Sequence, residues 1–456
     1  MIRSAFVVAS SLVLVSCATF SSDGGMNRVS RLTEERSGHA VTYQRDDQDA
    51  AAAQARVAEL LGAPLSADAA VELALLNNRS LQAQLGNLGI AGAELVRAGR
   101  LRNPLVSLGR VAGGGALEID RSVMFDLLGL LTLPARTKLA EQRFERAQYQ
   151  AAGEAVATAA QAREAFFDAV AAAQLATYAQ QVKEAADATS ELARGMAQAG
   201  NLSRLDQMRE QAFYADASAD LTRAQQQALA ARERLLRALG LGDRPSALLL
   251  PERLPDLPEQ PSRIMDAEQA ALDQRLDVQM ARRETEALAL ELGLTRATAF
   301  VDDINAGWQS KSQHGSPPER GAEVQFSIPL FDFGGAARAQ AKAQYLQSVN
   351  RTAAIANNAR SQLRESDAAY RNAYELARRY RDEVVPLRKR ISDETLLRYN
   401  GMLIDVFQLL ADAREQVASV TASVKASRDY WLAESRMQSA LAGAVSASGS
   451  PSPPNP

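Results

Sequence analysis

Pro134-Ala-Arg-Thr-Lys-Leu-Ala-Glu-Gln-Arg-Phe-Glu-Arg-Ala-Gln-Tyr-Gln150 opens a run that reaches Gly200 without another proline, and the next proline is Pro245. Ala, Gln, Glu, Arg and Leu dominate it. These are strong helix formers, because neither side-chain entropy nor sterics opposes the helix. About 65 residues at 1.5 Å each make a rod of ~100 Å, far beyond an ordinary helix. Such a rod needs partners to pack against. It suits a molecule built to cross a distance.

Outward from this run the chain reads twice. Five of the sixteen prolines fall between Pro245 and Pro261, and four between Pro451 and Pro456. The first cluster reads as a stiff linker, 242–262, and the second as a disordered tail, 446–456. The linker separates two similar repeats, 63–241 and 263–445. Each predicts a helix (Ser66 to about Leu101, and Ile264 to about Thr298), then an alternating region, then two long arms joined at a glycine. The joints align 201 residues apart: Gly200-Asn-Leu-Ser-Arg-Leu205-Asp-Gln-Met208 against Gly401-Met-Leu-Ile-Asp-Val406-Phe-Gln-Leu409. Element order matches on both sides, which argues for duplication. Leu363, Tyr370, Ala377, Val384 and Ile391 recur by sevens, with Ser366, Ala373, Tyr380 and Leu387 as companions. Leu410, Val417, Val424 and Trp431 do the same on the return arm. This predicts an antiparallel hairpin of left-handed packed helices, bent locally at Pro386.

The alternating regions decide where the molecule lives. Leu117, Ile119, Val123 and Phe125 alternate with Glu118, Asp120, Ser122 and Met124, and Pro104–Val111 is the expected partner strand (pair 104–126). In the second repeat (pair 300–331), Ile304, Ala306 and Trp308 precede a loop, and Val324, Phe326, Ile328 and Leu330 follow it. Segments of about ten alternating residues fit a membrane barrel with an apolar outside and a wet inside. Two hairpins on a soluble core fit as well. Four strands cannot close a barrel, which needs at least about eight, and open edges in lipid are costly. Strands in a membrane therefore require several copies to share one barrel, and three copies would give twelve strands.

The amino-terminal residues are expected to direct export. Arg3, the apolar run Ala5–Val15 and the ending Leu14-Val15-Ser16-Cys17 read as a signal peptide over 1–16. Cys17, the chain's single cysteine, is the expected lipid attachment site, palmitate among its acyl chains, followed by a tether over 17–62 with some helix near Ala50–Leu61. Removing 1–16 takes away Arg3 and no acid, moving the net charge from −3 to −4. That balance argues against a nucleic-acid partner. The two histidines, His39 and His314, make no catalytic set, and no cysteine or histidine spacing suits a metal. The reading is a non-enzyme with no cofactor.

With these residues in place, the chain resembles the TolC family of outer-membrane efflux proteins, lipoprotein type. The carrying stretches are Ala74-Leu-Leu-Asn-Asn-Arg-Ser-Leu81, Phe326-Ser-Ile-Pro-Leu-Phe-Asp-Phe-Gly334 and the two joints, the second continuing as Ala411-Asp-Ala-Arg-Glu415. The resemblance implies a mainly α chain with a membrane β-barrel portion: a homotrimer with a twelve-strand barrel in the outer membrane above a long coiled-coil tunnel. It implies the exit channel of a tripartite efflux system, joined by a periplasmic adaptor to an inner-membrane transporter such as an RND pump. The helix tips then dock the adaptor and close the tunnel, which singles out Gly200, Leu205, Asp206, Gly401, Asp405 and Phe407. The family often rings the aperture with carboxylates. Asp206 fits, but Phe407 stands at the matching place in the second joint, with Asp405 the nearest acid. Phe407 is either an apolar constriction or a packed hairpin staple. A lipid-anchored periplasmic scaffold without a pore, and the outer-membrane duct of a type I protein secretion system, stay open beside the efflux reading.

Overall fold

The computed structural model describes residues 21–113, 116–242, 248–261, 272–301, 303–313, 315–327, 331 and 333–444. The signal segment 1–16, Cys17, His314, Ile328–Leu330 and the tail 446–456 lie outside them. The chain divides into two compact units, the first made of residues up to 29, 84–151 and 276–357, the second of the rest.

In chain order the helices are α1 Met26–Ser37, α2 Asp47–Leu60, α3 Ala67–Asn77 and α4 Arg79–Ala98, followed by strands β1 Leu105–Gly113 and β2 Ala116–Asp126. Then come α5 Leu127–Gln198, α6 Arg204–Leu239 and α7 Leu276–Ala297, strands β3 Ile304–Gln313 and β4 Glu319–Phe326, and α8 Gly335–Arg379. A π turn at Tyr380–Val384, α9 Val385–Asn400 and α10 Val406–Ala442 complete it. Helix α5 runs 72 residues without a break, with Pro134 as its eighth residue, where the ring removes one intrahelical hydrogen bond, to the carbonyl of Leu130.

The first unit holds a four-stranded antiparallel sheet in the order β1-β2-β3-β4. Beside it, α7 is tied to the first part of α5 by Arg143–Glu291 (2.8 Å), Arg146–Glu284 (3.1 Å) and Arg283–Glu145 (3.0 Å). The start of α1 joins them. Arg28 donates to the Tyr149 hydroxyl at 3.0 Å and its guanidinium lies 5.0 Å from that ring's centre.

The second unit holds the apolar core. Leu73 and Ala74 of α3, Phe166, Phe167 and Val170 of α5, and Leu235, Leu236 and Leu239 of α6 pack together, with Leu248 and Leu254 of the linker closing over them. A neighbouring cluster gathers Tyr370, Tyr374 and Tyr430. The proline-rich linker is fixed to it: the Trp431 indole donates to the Pro255 carbonyl (3.2 Å), and the Tyr374 hydroxyl to that of Glu259 (2.6 Å).

Helices α6 and α10 end alike. Gly240 and Gly443 both take left-handed φ (70° and 65°) at the carboxyl ends of α6 and α10, where an L side chain would be strained. The carbonyls left over there find equivalent donors. Asn77 donates to Leu239 and Gly240, Asn78 donates to Ala238 (3.0 Å), and at the end of α10 Arg275 donates to Ala440. The Asn-Asn pair of the Ala74–Leu81 stretch is thus a helix cap supplied from elsewhere in the chain.

Three expectations need correction. The helix expected from Ser66 to Leu101 is two helices, because Asn78 leaves the helical conformation (ψ 110°) to bring its side chain to α6. The stretch 18–62 carries α1 as well as α2, with Val29, Val41 and Val57 fully buried, so its described part is packed structure and not a free tether. Few but well-spaced apolar residues were enough. The heptad face also breaks. Leu363, Tyr370 and Ala377 are buried as the sevens require, but Leu387 and Ile391 are 51% and 37% exposed while Thr395 is buried. The π turn just before Pro386 explains this: Val385 N–H donates to the Tyr380 carbonyl five residues back, one residue is inserted, and every later face turns by about 100°.

Candidate functional site

Two places carry the sequence-derived expectations: the joints of the helical arms in the second unit, and the sheet in the first.

At the first joint, Gly200 (φ 77°) ends α5. Its N–H donates to Ala197 (3.1 Å), and that of Asn201 to Met196 (2.9 Å), the double closure of a Schellman end. Ser203 then caps α6, accepting from Asp206 N–H at 3.2 Å while its hydroxyl donates to the Asp206 carboxylate at 2.6 Å. Arg209 holds the other Asp206 oxygen at 3.1 Å. At the second joint, Met402 and Leu403 donate to Tyr399 and Arg398 (both 2.9 Å), and Asp405 caps α10 by accepting from Gln408 N–H at 2.9 Å. At this joint the left-handed residue is Met402 (φ 59°), whereas Gly401 has φ −80°.

The equivalent residues are therefore Gly200 and Met402, and Ser203 and Asp405, 202 residues apart. The 201-residue register, which matched glycine to glycine, is corrected by one. Leu205 becomes the counterpart of Phe407, and Asp206 that of Gln408. Both acids, Asp206 and Asp405, are engaged at helix amino-termini, where a negative charge is favourable.

Phe407 is half-buried and turned toward the first hairpin. With Leu192, Met196, Leu202 and Leu410 it lines an apolar void of about 40 Å³. The exposed apolar groups at the joints are others: Met402 at 93% and Leu403 at 76%, with Leu205 and Met208 each more than half exposed. A further pair is invisible in the sequence. Glu210 of α6, 3% exposed, accepts from Arg414 of α10 at 2.9 Å, and the Arg414 guanidinium lies 4.3 Å from the Phe213 ring centre. The stretch Ala411–Glu415 stands out by its resemblance, but nothing in a sequence says that Arg414 reaches across to the other hairpin.

In the sheet, register assigns each side chain to a face. Asp120, paired with Gly109 and Lys311, and Ser122, paired with Ser107 and Gln309, share one face with Glu118, Asp126, Glu319 and Glu323. Five carboxylates and one ammonium lie there. Asp126 is held by Arg102 (3.3 Å) and by Gly129 N–H (2.6 Å), and Lys311 pairs with Glu118. The opposite face carries Val106, Leu108, Ile119, Val123, Phe125, Trp308, Val324 and Phe326, largely exposed. Phe300, Phe331 and Phe333 extend the exposed apolar surface at the strands' helix ends.

Among the described residues no group of three or more His, Cys, Asp or Glu is placed to hold a metal, and no helix is long and apolar enough to cross a membrane. Cys17 lies outside the described residues.

No protein-family model matches the sequence, and no curated protein does. Solved structures do match. The outer-membrane channel OprN aligns over 88% of this chain and 94% of its own (19% identity, TM-score 0.70), and the outer-membrane protein VceC of Vibrio cholerae over 83% and 96% (16%, 0.70). The open state of the MtrE outer-membrane channel of Neisseria gonorrhoeae aligns over 85% and 89% (18%, 0.63). At such identities the likeness establishes the fold. This chain has the fold of outer-membrane channel proteins.

Proposed function

We propose that this chain is a TolC-family outer-membrane exit duct. Three copies close one twelve-strand barrel, their long helices line a tunnel leading to it, and substrates pass without chemical change. The observation that carries the reading is the sheet. Its four strands leave β1 and β4 each with one unpaired edge, and one of its faces gathers all five strand carboxylates while the other carries most of the exposed large apolar side chains, with arginines as its only charges. An exposed apolar face suits lipid, and in lipid the open edges demand neighbours.

The partners follow from the same reading. A periplasmic adaptor docks at the joints, where Met402, Leu403, Leu205 and Met208 offer apolar contacts. The adaptor connects to an inner-membrane transporter of the RND kind, which supplies the energy. Cys17, once acylated, anchors each chain to the same membrane. Phe407 acts as the staple between the two hairpins, and the aperture is bounded by the exposed methionine and leucine side chains.

The test is the mass of the detergent-extracted full chain by light scattering, with conductance in a planar bilayer. A trimer that conducts supports the duct. A monomer or dimer that needs no detergent once Cys17 is replaced by serine, and that conducts nothing, would establish the lipid-anchored scaffold instead.

A further inference from the structure

The charges of the sheet are sorted by face, and the apolar face keeps only one sign. All five strand carboxylates and Lys311 fall on the polar face, while Arg110, Arg121 and Arg320 fall on the apolar one. Arg121 is opposite Ser310, and Ser310 is opposite Arg320, so the two arginines flank one serine in a single transverse row. Arg110 is opposite Ile119, one row nearer the hairpin loops. With strands ~4.8 Å apart and ~3.4 Å per residue, the Arg121 Cα lies about 8 Å from that of Arg110 and about 10 Å from that of Arg320, so Arg121 stands between the other two, themselves about 16 Å apart, and long guanidinium side chains can share head groups across the row. All three arginines are exposed, whereas Ser310 is only 7% exposed on an otherwise open face. It lies covered between its neighbours.

Their level along the strands matters as much as their grouping. From the helix ends toward the loops, the face runs Ile304 and Phe326, then Phe125 and Val324, then Val123 and Trp308, and only then Arg121 and Arg320. An apolar band, an aromatic at its rim and guanidiniums just beyond describe the passage from acyl chains to head groups. Guanidinium is also the side chain best matched to phosphate, which it grips through paired N–H donors.

We propose that Arg110, Arg121 and Arg320 form a binding site for the phosphate-bearing head groups of the lipid leaflet at the hairpin-loop end of the sheet. The inference rests on the membrane reading above and adds a specific lipid partner to it. Each chain presents one such site, and the bound phosphates neutralise charges that the apolar face would otherwise hold unpaired beside lipid. The bound head group also fixes how deep the barrel sits.

Trp308, one row away, is the natural reporter. The full chain carrying Trp431→Phe, which leaves Trp308 as its single tryptophan, is reconstituted into phosphatidylcholine vesicles. Dibrominated phosphatidic acid or dibrominated phosphatidylcholine is then titrated in, and quenching is read. Phosphatidic acid is expected to quench at about one-fifth the mole fraction or less, the weight of one well-placed guanidinium at an anionic surface. In the Arg110→Gln, Arg121→Gln, Arg320→Gln variant the two lipids are expected to quench alike, while quenching by dibrominated phosphatidylcholine stays unchanged and shows that the sheet still inserts. Equal quenching by both lipids in the parent protein, or a preference that survives the triple change, overturns the proposal. Failure of either lipid to quench the parent protein would remove the membrane reading itself, and the site with it.

Discussion

Two glycines that look interchangeable in sequence do different work. Gly200 holds φ 77°, whereas Gly401 holds φ −80° and leaves the left-handed position to Met402. An L residue in that conformation costs about 1–2 kcal/mol. Gly200→Ala should therefore lower unfolding stability by about that amount, Gly401→Ala by less than about 0.5 kcal/mol, and Met402→Gly should raise it slightly. Denaturant midpoints of the detergent-extracted chain decide, and an equal loss from both alanine variants would reject the pairing of Gly200 with Met402. Glu210 and Arg414 make a second case. Glu210 is buried and Arg414 is 38% exposed, so the loss on Glu210→Ala falls below that of a fully buried pair, at about 1–3 kcal/mol. A double-mutant cycle with Arg414→Ala should return a coupling of at least about 0.5 kcal/mol. Glu434 works in the other direction. Burial raises its pKa, only partly opposed by Arg163. Because the folded state holds this proton more tightly than the unfolded chain, the carboxylate lowers stability above its folded pKa, and the penalty disappears as pH falls to the ordinary value of 4.5. Glu434→Gln should thus raise the melting temperature at pH 7.5 and leave it unchanged near pH 4.5.

At the scale of elements, what sequence could and could not reveal follows from how local each cause is. The long helices were legible because propensity accumulates over many residues, and the strands because alternation repeats at each step. The positions of Asn78 and of α1 were not, since each depends on a partner more than a hundred residues away: Ala238 for one, Gln148 and Tyr149 for the other. Joint register failed for a related reason. Glycine advertises the left-handed conformation, but Met402, in a turn closed by its own N–H and that of Leu403, can adopt it silently. Pro386 lies between these cases. That the proline would disturb the arm locally was readable, but the widened turn just before it and its effect on the face of α9 were not, because a one-residue widening leaves no mark on composition. Pro386→Ala restores a backbone donor and removes the ring's clash with the carbonyl of Asp382, so the turn should close to α and carry later faces back by one residue. Alkylation of Leu387→Cys should then slow, and that of Thr395→Cys should quicken, relative to the same cysteines beside the native proline. Unchanged rates would mean that packing, and not the proline, holds the wide turn.

At the scale of the whole molecule, the duct makes an electrical prediction that the scaffold does not. Asp126 is neutralised by Arg102, and Glu118 by Lys311. That leaves Asp120, Glu319 and Glu323 on the polar face of each chain. Three chains around one barrel would place nine such carboxylates around its lumen. At 0.1 M salt a fixed charge is felt over about 10 Å, so opposed walls of a narrow barrel reinforce one another and draw cations inward. Under a potassium chloride gradient across a planar bilayer, the reversal potential should have the sign of cation preference and shrink as salt is raised. Asp120→Asn, Glu319→Gln and Glu323→Gln together should reduce it substantially without altering insertion or trimer mass. The arginines cannot offset this, since register puts them on the other face. Preference for chloride in the parent channel would mean that the faces are reversed, with the acids toward lipid, and would reject both the acidic lumen and the lipid site on its far side.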